Sequence, residues 1–141
     1  MKVILDTNIF VSALLSPQGL SAKLLNLLFD KKLTIVYDNN IFAEYLDVLN
    51  RDKFMLDKEL VNLIMDFISK EGEYIIAGFQ NVQFTDEDDK VFYEVFKGGD
   101  VDYLITGNKK HFPNEENIVT AREFFYEYEI IVKNSENGII K

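Results

Sequence analysis

Four groups of acidic, hydroxyl and amide side chains stand where they could bind a cation together. Two of them directly follow short apolar runs, and the other two lie at or near the start of amphipathic segments. The groups are Asp6-Thr7-Asn8, Glu44, Asp86-Glu87-Asp88-Asp89 and Thr106-Gly107-Asn108. Their oxygens are hard ligands that suit Mg²⁺ or Mn²⁺, provided that the fold brings them to one place.

The elements that must position these groups alternate between strands and helices. Short apolar runs rich in β-formers predict strands at 2–5, 33–37, 73–79, 101–106 and 118–119. Helical spacing of apolar residues behind capping residues predicts helices near 8–15, 21–32, 41–51, 57–72, 86–99 and 120–129. This alternation indicates an α/β domain with a mostly parallel central sheet, whose strands end along one edge. All four polar groups would lie at that edge, where such sheets bind ligands.

Carboxylates gathered in this way repel one another, so the fold must compensate for their charge. A pair of carboxylates about 4 Å apart costs on the order of 4 kcal/mol at an effective dielectric constant near 20. Shared protons or a bound cation relieve that cost. The chain has no Cys and one His, which argues against zinc and favours Mg²⁺ or Mn²⁺. A Mg²⁺ ion held by carboxylates typically acts on phosphate oxygens.

Each group also has a simpler interpretation. Asp6 could cap the helix that follows it, and Glu44 could be an ordinary surface residue of its helix. The acidic run at 86–89 could be a solvated helix N-terminus, where carboxylates suit the helix dipole. Thr106-Gly107-Asn108 could be a turn. The metal hypothesis therefore depends on the four groups sharing one edge of the sheet.

The same segments resemble the PIN-domain family of small Mg²⁺-dependent ribonucleases, which includes the toxins of many prokaryotic toxin–antitoxin pairs. The resemblance covers residues 1–128 and rests on four stretches. They are the DTN at 6–8, EYLDVL at 44–49, DEDDKVF at 86–92 and YLITGNKKHFP at 103–113. It implies a three-layer α/β/α sandwich with a mostly parallel central sheet, and a toxin component as the biological role.

Family roles can be assigned to individual positions by this resemblance. Asp6, Glu44 and Asp89 correspond to the metal-binding carboxylates, and Asn108 stands at a catalytic position where many members carry a fourth Asp. Asp86 and Asp88 remain possible ligands or helix caps. The Asn leaves one-metal and two-metal chemistry open. Asn8 and Thr106 would not bind the ion themselves but would orient the ligands or a metal-bound water.

The resemblance also implies partners, namely an RNA substrate and an antitoxin protein. Lys109, Lys110 and His111 follow the Thr106-Gly107-Asn108 turn and are the candidates for RNA contact. For His111, packing beside Phe112 and Pro113 is the other interpretation, and the chemistry requires no histidine base. The aromatic C-terminal helix could pack within the domain or support a homodimer.

Composition bounds these hypotheses. The chain has 141 residues, a formal charge of −9 and no Cys. One domain at 1–132 with a loosely held tail at 133–141, in the cytoplasm and outside any membrane, is predicted. A surplus of acidic residues disfavours binding of nucleic acid by charge alone. A catalytically weak or inactive PIN-like binding module is therefore the alternative, and a phosphatase with an Asp6 nucleophile is a third possibility.

Overall fold

A computed structural model describes residues 1–78, 84 and 86–136 of the chain. Its strands are β1 (Lys2–Leu5), β2 (Thr34–Tyr37), β3 (Glu73–Tyr74), β4 (Tyr103–Ile105) and β5 (Ile118–Val119). They form one sheet in the order β3-β2-β1-β4-β5, and every neighbouring pair is parallel. The sheet reverses its direction of growth at β1, which has β2 on one side and β4 on the other. Ligands of open parallel sheets bind beyond the strand ends at such a point.

Six α-helices and two short 3₁₀ turns surround this sheet in the described part of the chain. They are α1 (Thr7–Leu15), α2 (Leu20–Phe29), α3 (Asn39–Leu49), α4 (Lys58–Glu71), α5 (Glu87–Gly98) and α6 (Ala121–Glu136), with turns at Asp52–Phe54 and Lys109–His111. Helix α3 contacts α1, α4 and α5, and α2 contacts α1 and α6. The predicted three-layer α/β/α sandwich is confirmed.

Capping side chains begin several helices where the sequence predicted them. Asp38 Oδ1 accepts a 2.8 Å hydrogen bond from the backbone N–H of Ile41 at the start of α3. At the start of α6, Thr120 and Glu123 each accept from the backbone N–H of the other, at 3.2 and 3.0 Å. This reciprocal pair is a capping box, and it satisfies two N–H groups that the helix leaves free.

Tyr45 ties α3 to the central strand and so determines where this helix lies. Its ring is fully buried, 5.0 Å from the ring of Phe10 and 6.0 Å from that of Phe92. Its hydroxyl donates a 2.5 Å hydrogen bond to the backbone carbonyl of Leu5. Because Glu44 precedes Tyr45 and Asp6 follows Leu5, this contact brings α3 to the end of β1.

Predicted element ends differ from the structure by a few residues in most places, and two elements differ most in extent. The strand predicted at 73–79 includes only Glu73–Tyr74 in the structure, and residue 79 lies outside the described residues. Its partner β2 ends at Tyr37, whose carbonyl accepts the last hydrogen bond, from the N–H of Ile75. Helix α6 continues to Glu136, beyond the predicted domain boundary at 132. Among the described residues, no helix has the length and apolar character needed to cross a bilayer.

Candidate functional site

The site begins where two adjacent strands end. Leu5 of β1 is paired with Ile105 of β4, and the backbone N–H of Asp6 donates to the Ile105 carbonyl at 2.9 Å. The next residue of β4, Thr106, is fully buried, and its Oγ1 donates a 2.7 Å hydrogen bond to Oδ2 of Asp6. The register of the sheet therefore places this hydroxyl against the Asp6 carboxylate.

The Asp6 side chain does not cap the helix that it precedes. Asp6 occupies the N-cap position of α1, yet its carboxylate makes no capping hydrogen bond. The N–H groups of Thr7 and Asn8 lie near enough to lower its pKa, while burial raises it more strongly. Asp6 is only 4% exposed. The capping interpretation therefore does not account for this buried carboxylate.

Asn8 and Asn108 extend the polar network around Asp6. In the amide orientation that satisfies its partners, the Asn8 nitrogen donates to Asp6 Oδ2 at 3.1 Å. The Asn8 oxygen then accepts from Asn108 Nδ2 at 2.8 Å. The backbone N–H of Asn108 also donates to Thr106 Oγ1 at 3.0 Å. Asp6 is thus held by Asn8 and Thr106, and Asn108 supports both of them.

These groups open onto a cleft of about 200 Å³. All three predicted carboxylates and Asn108 line it, although they come from four different places in the chain. The lining residues are Asp6, Thr7, Asn8, Glu44, Val48, Arg51, Asp86, Asp88, Asp89, Phe92, Asn108 and His111. The structure therefore brings the predicted acidic groups together at one edge of the sheet.

Three carboxylates in this cleft, those of Asp6, Glu44 and Asp89, hold their protons unusually tightly. Burial raises the pKa of Asp6 to about 6, and the charge of Asp89 adds to the effect. Burial also raises the pKa of Glu44 to about 7, with a further contribution from Asp88. The pKa of Asp89 is raised by burial and by Asp86, while His111 opposes the shift. Negative charge is therefore unfavourable at these three carboxyls, and a bound cation would stabilise it.

The structure distinguishes among the acidic residues at the start of α5. Asp86 is the helix cap, since its Oδ1 accepts a 2.9 Å hydrogen bond from the backbone N–H of Asp88. Both of these residues are exposed at the rim of the cleft. The Asp89 side chain is only 16% exposed, and its Oδ2 lies 3.3 Å from Nδ1 of His111. Asp89 is thus the most enclosed carboxylate of the run.

The three candidates for RNA contact lie in different surroundings. Lys109 Nζ is paired with Oε2 of Glu123 at 2.9 Å and does not line the cleft. Lys110 is exposed and also lies outside the lining. His111 does line the cleft, with a side chain that is 45% exposed, so it is not packed into the loop beside Phe112.

The sequence prediction missed Val48 and Arg51 in the cleft, and it included Thr7 in the Asp6-Thr7-Asn8 group without giving this residue a role of its own. Thr7 is 4% exposed, and its Oγ1 makes no hydrogen bond within the described part of the chain. Arg51 lies just after α3, seven residues beyond Glu44, with Val48 between them. Residues spaced by four and seven share one face of a helix. The spacing from Glu44 could therefore have indicated Arg51, whereas no pattern distinguished Thr7.

The donor set fits a hard divalent cation by its chemistry. The cleft offers carboxylate and amide oxygens, and the buried Thr7 hydroxyl beside Asp6 needs a polar partner. Within residues 1–78, 84 and 86–136, however, no three His, Cys, Asp or Glu side chains are close enough to hold a metal ion. The structure therefore shows a suitable set of donors and not an assembled metal site.

Comparison with known sequences identifies the family. A model of the PIN domain matches residues 2–110, and the chain belongs to this family. It is also similar to an uncharacterized protein of Methanocaldococcus jannaschii, with 28% identity over 92% of each chain. No solved structure gives a significant match. Because PIN domains are generally nucleases, membership indicates nuclease-type activity.

Proposed function

We propose that this protein is a Mg²⁺- or Mn²⁺-dependent endoribonuclease and the toxin of a toxin–antitoxin pair. The observation that carries the proposal is the cleft, where Asp6, Glu44 and Asp89 from three elements of a PIN domain line one space. The raised pKa values of these three carboxylates support the proposal. A nearby cation stabilises the ionised form of a carboxyl most where that form is otherwise unfavourable. We place the protein in the cytoplasm, where its RNA substrate would be found.

Asp6, Glu44 and Asp89 would hold the ion in this proposal. Such an ion, when bound, lowers the pKa of the attacking water and neutralises charge developing on the phosphodiester. Thr106 and Asn8 hold the Asp6 carboxylate by hydrogen bonds of 2.7 and 3.1 Å, so that it need not reorganise on binding. His111 stands beside Asp89, where its remaining nitrogen can meet a phosphate oxygen.

The reaction consumes one water for each phosphodiester cut. The water oxygen forms a bond to phosphorus, the bond from phosphorus to the 3′ oxygen breaks, and that oxygen takes up a proton. The products are a 5′-phosphate and a 3′-hydroxyl. Lys109 and Lys110, outside the cleft, would contact RNA as it leaves the site.

Cleavage of single-stranded RNA by the purified protein tests the activity. Wild type is expected to cut when Mn²⁺ or Mg²⁺ is supplied, whereas Asp6→Asn and Asp89→Asn should each lose at least a hundredfold in rate. Asp66→Asn is the matched control, because Asp66 is exposed on α4 and does not line the cleft. Cleavage that persists in both cleft variants would show that the site is elsewhere or that a contaminant is active.

The alternative function is a binding module with weak or no catalysis. Asn108 favours it, since this position supplies an amide in place of a fourth carboxylate, and so does the ion pair that occupies Lys109. Wild type that binds the RNA without cutting it, at any Mg²⁺ or Mn²⁺ concentration, would establish this alternative. The toxin role has its own test, which is growth arrest on expression and its relief by the product of an adjacent gene. A homodimer, if formed, would be visible by light scattering of the same preparation.

A further inference from the structure

Arg51 supplies a permanent positive charge in a cleft that is otherwise dominated by carboxylates. Among the described residues that line the cleft, only Arg51 and His111 can carry positive charge. The chain has two arginines, and the other, Arg122, is exposed in α6 and outside the cleft lining. Lys109 directly follows the cleft residue Asn108 and was a candidate for RNA contact, but its ammonium is paired with Glu123. The placement of Arg51 in the cleft therefore needs a functional explanation, which the sequence around it did not suggest.

Arg51 follows the end of α3 and lines the same cleft as two residues of that helix, Glu44 and Val48. The hydrogen bond to Asp47 raises the pKa of Arg51 most, and the charges of Glu44 and Asp88 add to this effect. Burial raises the pKa of Glu44, and the Arg51 guanidinium is close enough to oppose that shift. Arg51 thus stands on the Glu44 side of the cleft, whereas His111 stands beside Asp89.

A hydrogen bond to Asp47 orients the Arg51 guanidinium without using all of the N–H donors of this group. Nη2 of Arg51 donates to Oδ2 of Asp47, one turn back on α3, at 2.8 Å. A guanidinium has five N–H donors in a planar fork, so a single contact to Asp47 leaves donors for a second acceptor. An exposed pair of this kind contributes little to stability. Stability is therefore a poor reason for an arginine here, whereas binding of an anion uses its fork directly.

We propose that Arg51 binds a backbone phosphate of the RNA on the Glu44 side of the cleft and is a substrate-positioning residue. This inference rests on the proposed function. An acidic cleft repels a polyanion, and a fixed cation at its rim offsets that repulsion where the strand enters. With His111 on the Asp89 side, the strand is contacted on both sides of the carboxylates.

Steady-state cleavage of a fluorescent single-stranded RNA tests this role. Arg51→Gln is expected to raise KM about tenfold, as for the loss of one charge-assisted contact, with a much smaller change in kcat. The slope of log KM against log salt concentration should fall by about one, because one fewer phosphate is neutralised. Arg51→Lys should recover part of the loss, since it keeps the charge without the planar fork.

Arg122→Gln is the matched control, because it makes the same chemical change at an exposed site away from the cleft. Its KM and salt dependence should stay within twofold of wild type. An Arg51→Gln variant with wild-type KM and salt slope would overturn the inference while leaving the nuclease intact. If wild type neither binds nor cuts RNA, the proposed function fails first and this inference fails with it. Thermal denaturation of each variant shows whether a change in KM merely reflects unfolding.

Discussion

Thr106 donates a 2.7 Å hydrogen bond to the Asp6 carboxylate although the two residues are 100 positions apart in the sequence. The parallel pairing of β1 with β4 makes this contact, because Leu5 and Ile105 are in register and the next residue of each strand meets its counterpart. The hydroxyl stabilises the ionised form of a carboxyl whose burial favours the neutral form. In the proposed function, Thr106 would therefore prepare Asp6 to bind a cation.

Thr106→Val tests whether the Thr106 hydroxyl assists cation binding by Asp6, because it removes the hydroxyl and keeps the shape of the side chain. We expect the affinity for Mn²⁺ to fall about 10- to 100-fold, the usual cost of losing a partner that orients a metal ligand. The free energy of unfolding should fall by about 1–3 kcal/mol, because the buried Asp6 loses a donor. Calorimetric titration with Mn²⁺ and urea denaturation measure the two effects. Thr106→Ser retains the donor and should stay near wild type, and a Ser variant as impaired as Val would assign the effect to packing.

Asp6→Asn is expected to stabilise the metal-free protein while it abolishes cleavage. The pKa of Asp6 is raised from 3.8 to about 6, so the folded state binds this proton more tightly than the unfolded state does. As pH rises from about 4 to 6, ionising Asp6 costs about 3 kcal/mol of stability, and the cost is constant above that range. Asn avoids this cost but makes weaker hydrogen bonds with Thr106 and Asn8. A net gain of about 1–2 kcal/mol at pH 7.5 follows.

Urea denaturation in EDTA between pH 5 and 8 measures this gain, at low protein concentration because the pI is near 4.6. The difference between Asp6→Asn and wild type should be largest above pH 6 and should narrow below it. The exposed Asp66→Asn controls for the loss of one negative charge. An Asp6→Asn variant less stable than wild type at pH 7.5 would contradict a raised Asp6 pKa.

Local sequence patterns predicted the elements, while register determined the contacts between them. Asp38, Asp86 and Thr120 could be recognised as capping residues because a cap depends on a few neighbouring positions. The parallel sheet followed from the alternation of strands and helices. The strand at 73–79 was predicted too long because its length depends on where β2 ends, which local β-propensity does not include.

The carboxylates of the candidate site could be predicted because Asp6 follows a recognisable strand and Glu44 and Asp89 lie in recognisable helices. Of its cations only His111 was predicted, because neighbours distant in sequence decide which cations face the cleft. Lys109 follows the turn at Asn108, yet its ammonium is paired with Glu123 of α6 and not with a cleft residue. Arg51 follows an ordinary helix end, yet the hydrogen bond from Tyr45 of α3 to Leu5 brings that helix end to the cleft, where Arg51 lies.

Divalent-cation affinity should depend steeply on pH near neutrality. The pKa of Glu44 is raised to about 7 and that of Asp6 to about 6, so both carboxyls must lose a proton before they can bind. Affinity for Mn²⁺ should fall about tenfold per pH unit just below 7 and about a hundredfold per unit below 6. The cleavage rate should fall in the same way as pH decreases. A higher Mn²⁺ concentration should shift this fall to lower pH because the cation and the protons compete for the carboxylates.

Calorimetric titration with Mn²⁺ from pH 5.5 to 8 tests the pH dependence without any need for activity. A Glu44→Gln variant should lose the transition near pH 7 while retaining the one near pH 6. The exposed Glu59, at the start of α4, provides the control Glu59→Gln, which should keep both. Affinity that is constant across this range would mean that these carboxyls do not bind the ion.

Asn108→Asp tests whether the position opposite Asp6 limits the site. In the metal-free protein, the new carboxylate would face the Asn8 oxygen that now accepts from Asn108 Nδ2 at 2.8 Å. The Asn8 amide must then either turn away from Asp6 or leave two oxygens in contact. We therefore expect a loss of about 1–3 kcal/mol in the free energy of unfolding in EDTA.

Divalent cations should reverse this loss, since a fourth carboxylate adds a ligand with full charge where the amide offers only a dipole. Mn²⁺ at about 100 times its dissociation constant stabilises a folded protein by about 2.7 kcal/mol, so thermal denaturation with and without Mn²⁺ reveals the change in affinity. We expect the Asp variant to bind Mn²⁺ about tenfold more tightly than wild type, and a second binding event in calorimetry would indicate a two-metal site. Asn108→Ala removes the same contact to Asn8 without adding charge. If Asp and Ala variants respond equally to Mn²⁺, residue 108 lies outside the cation's reach, and the chemistry proceeds with three carboxylates.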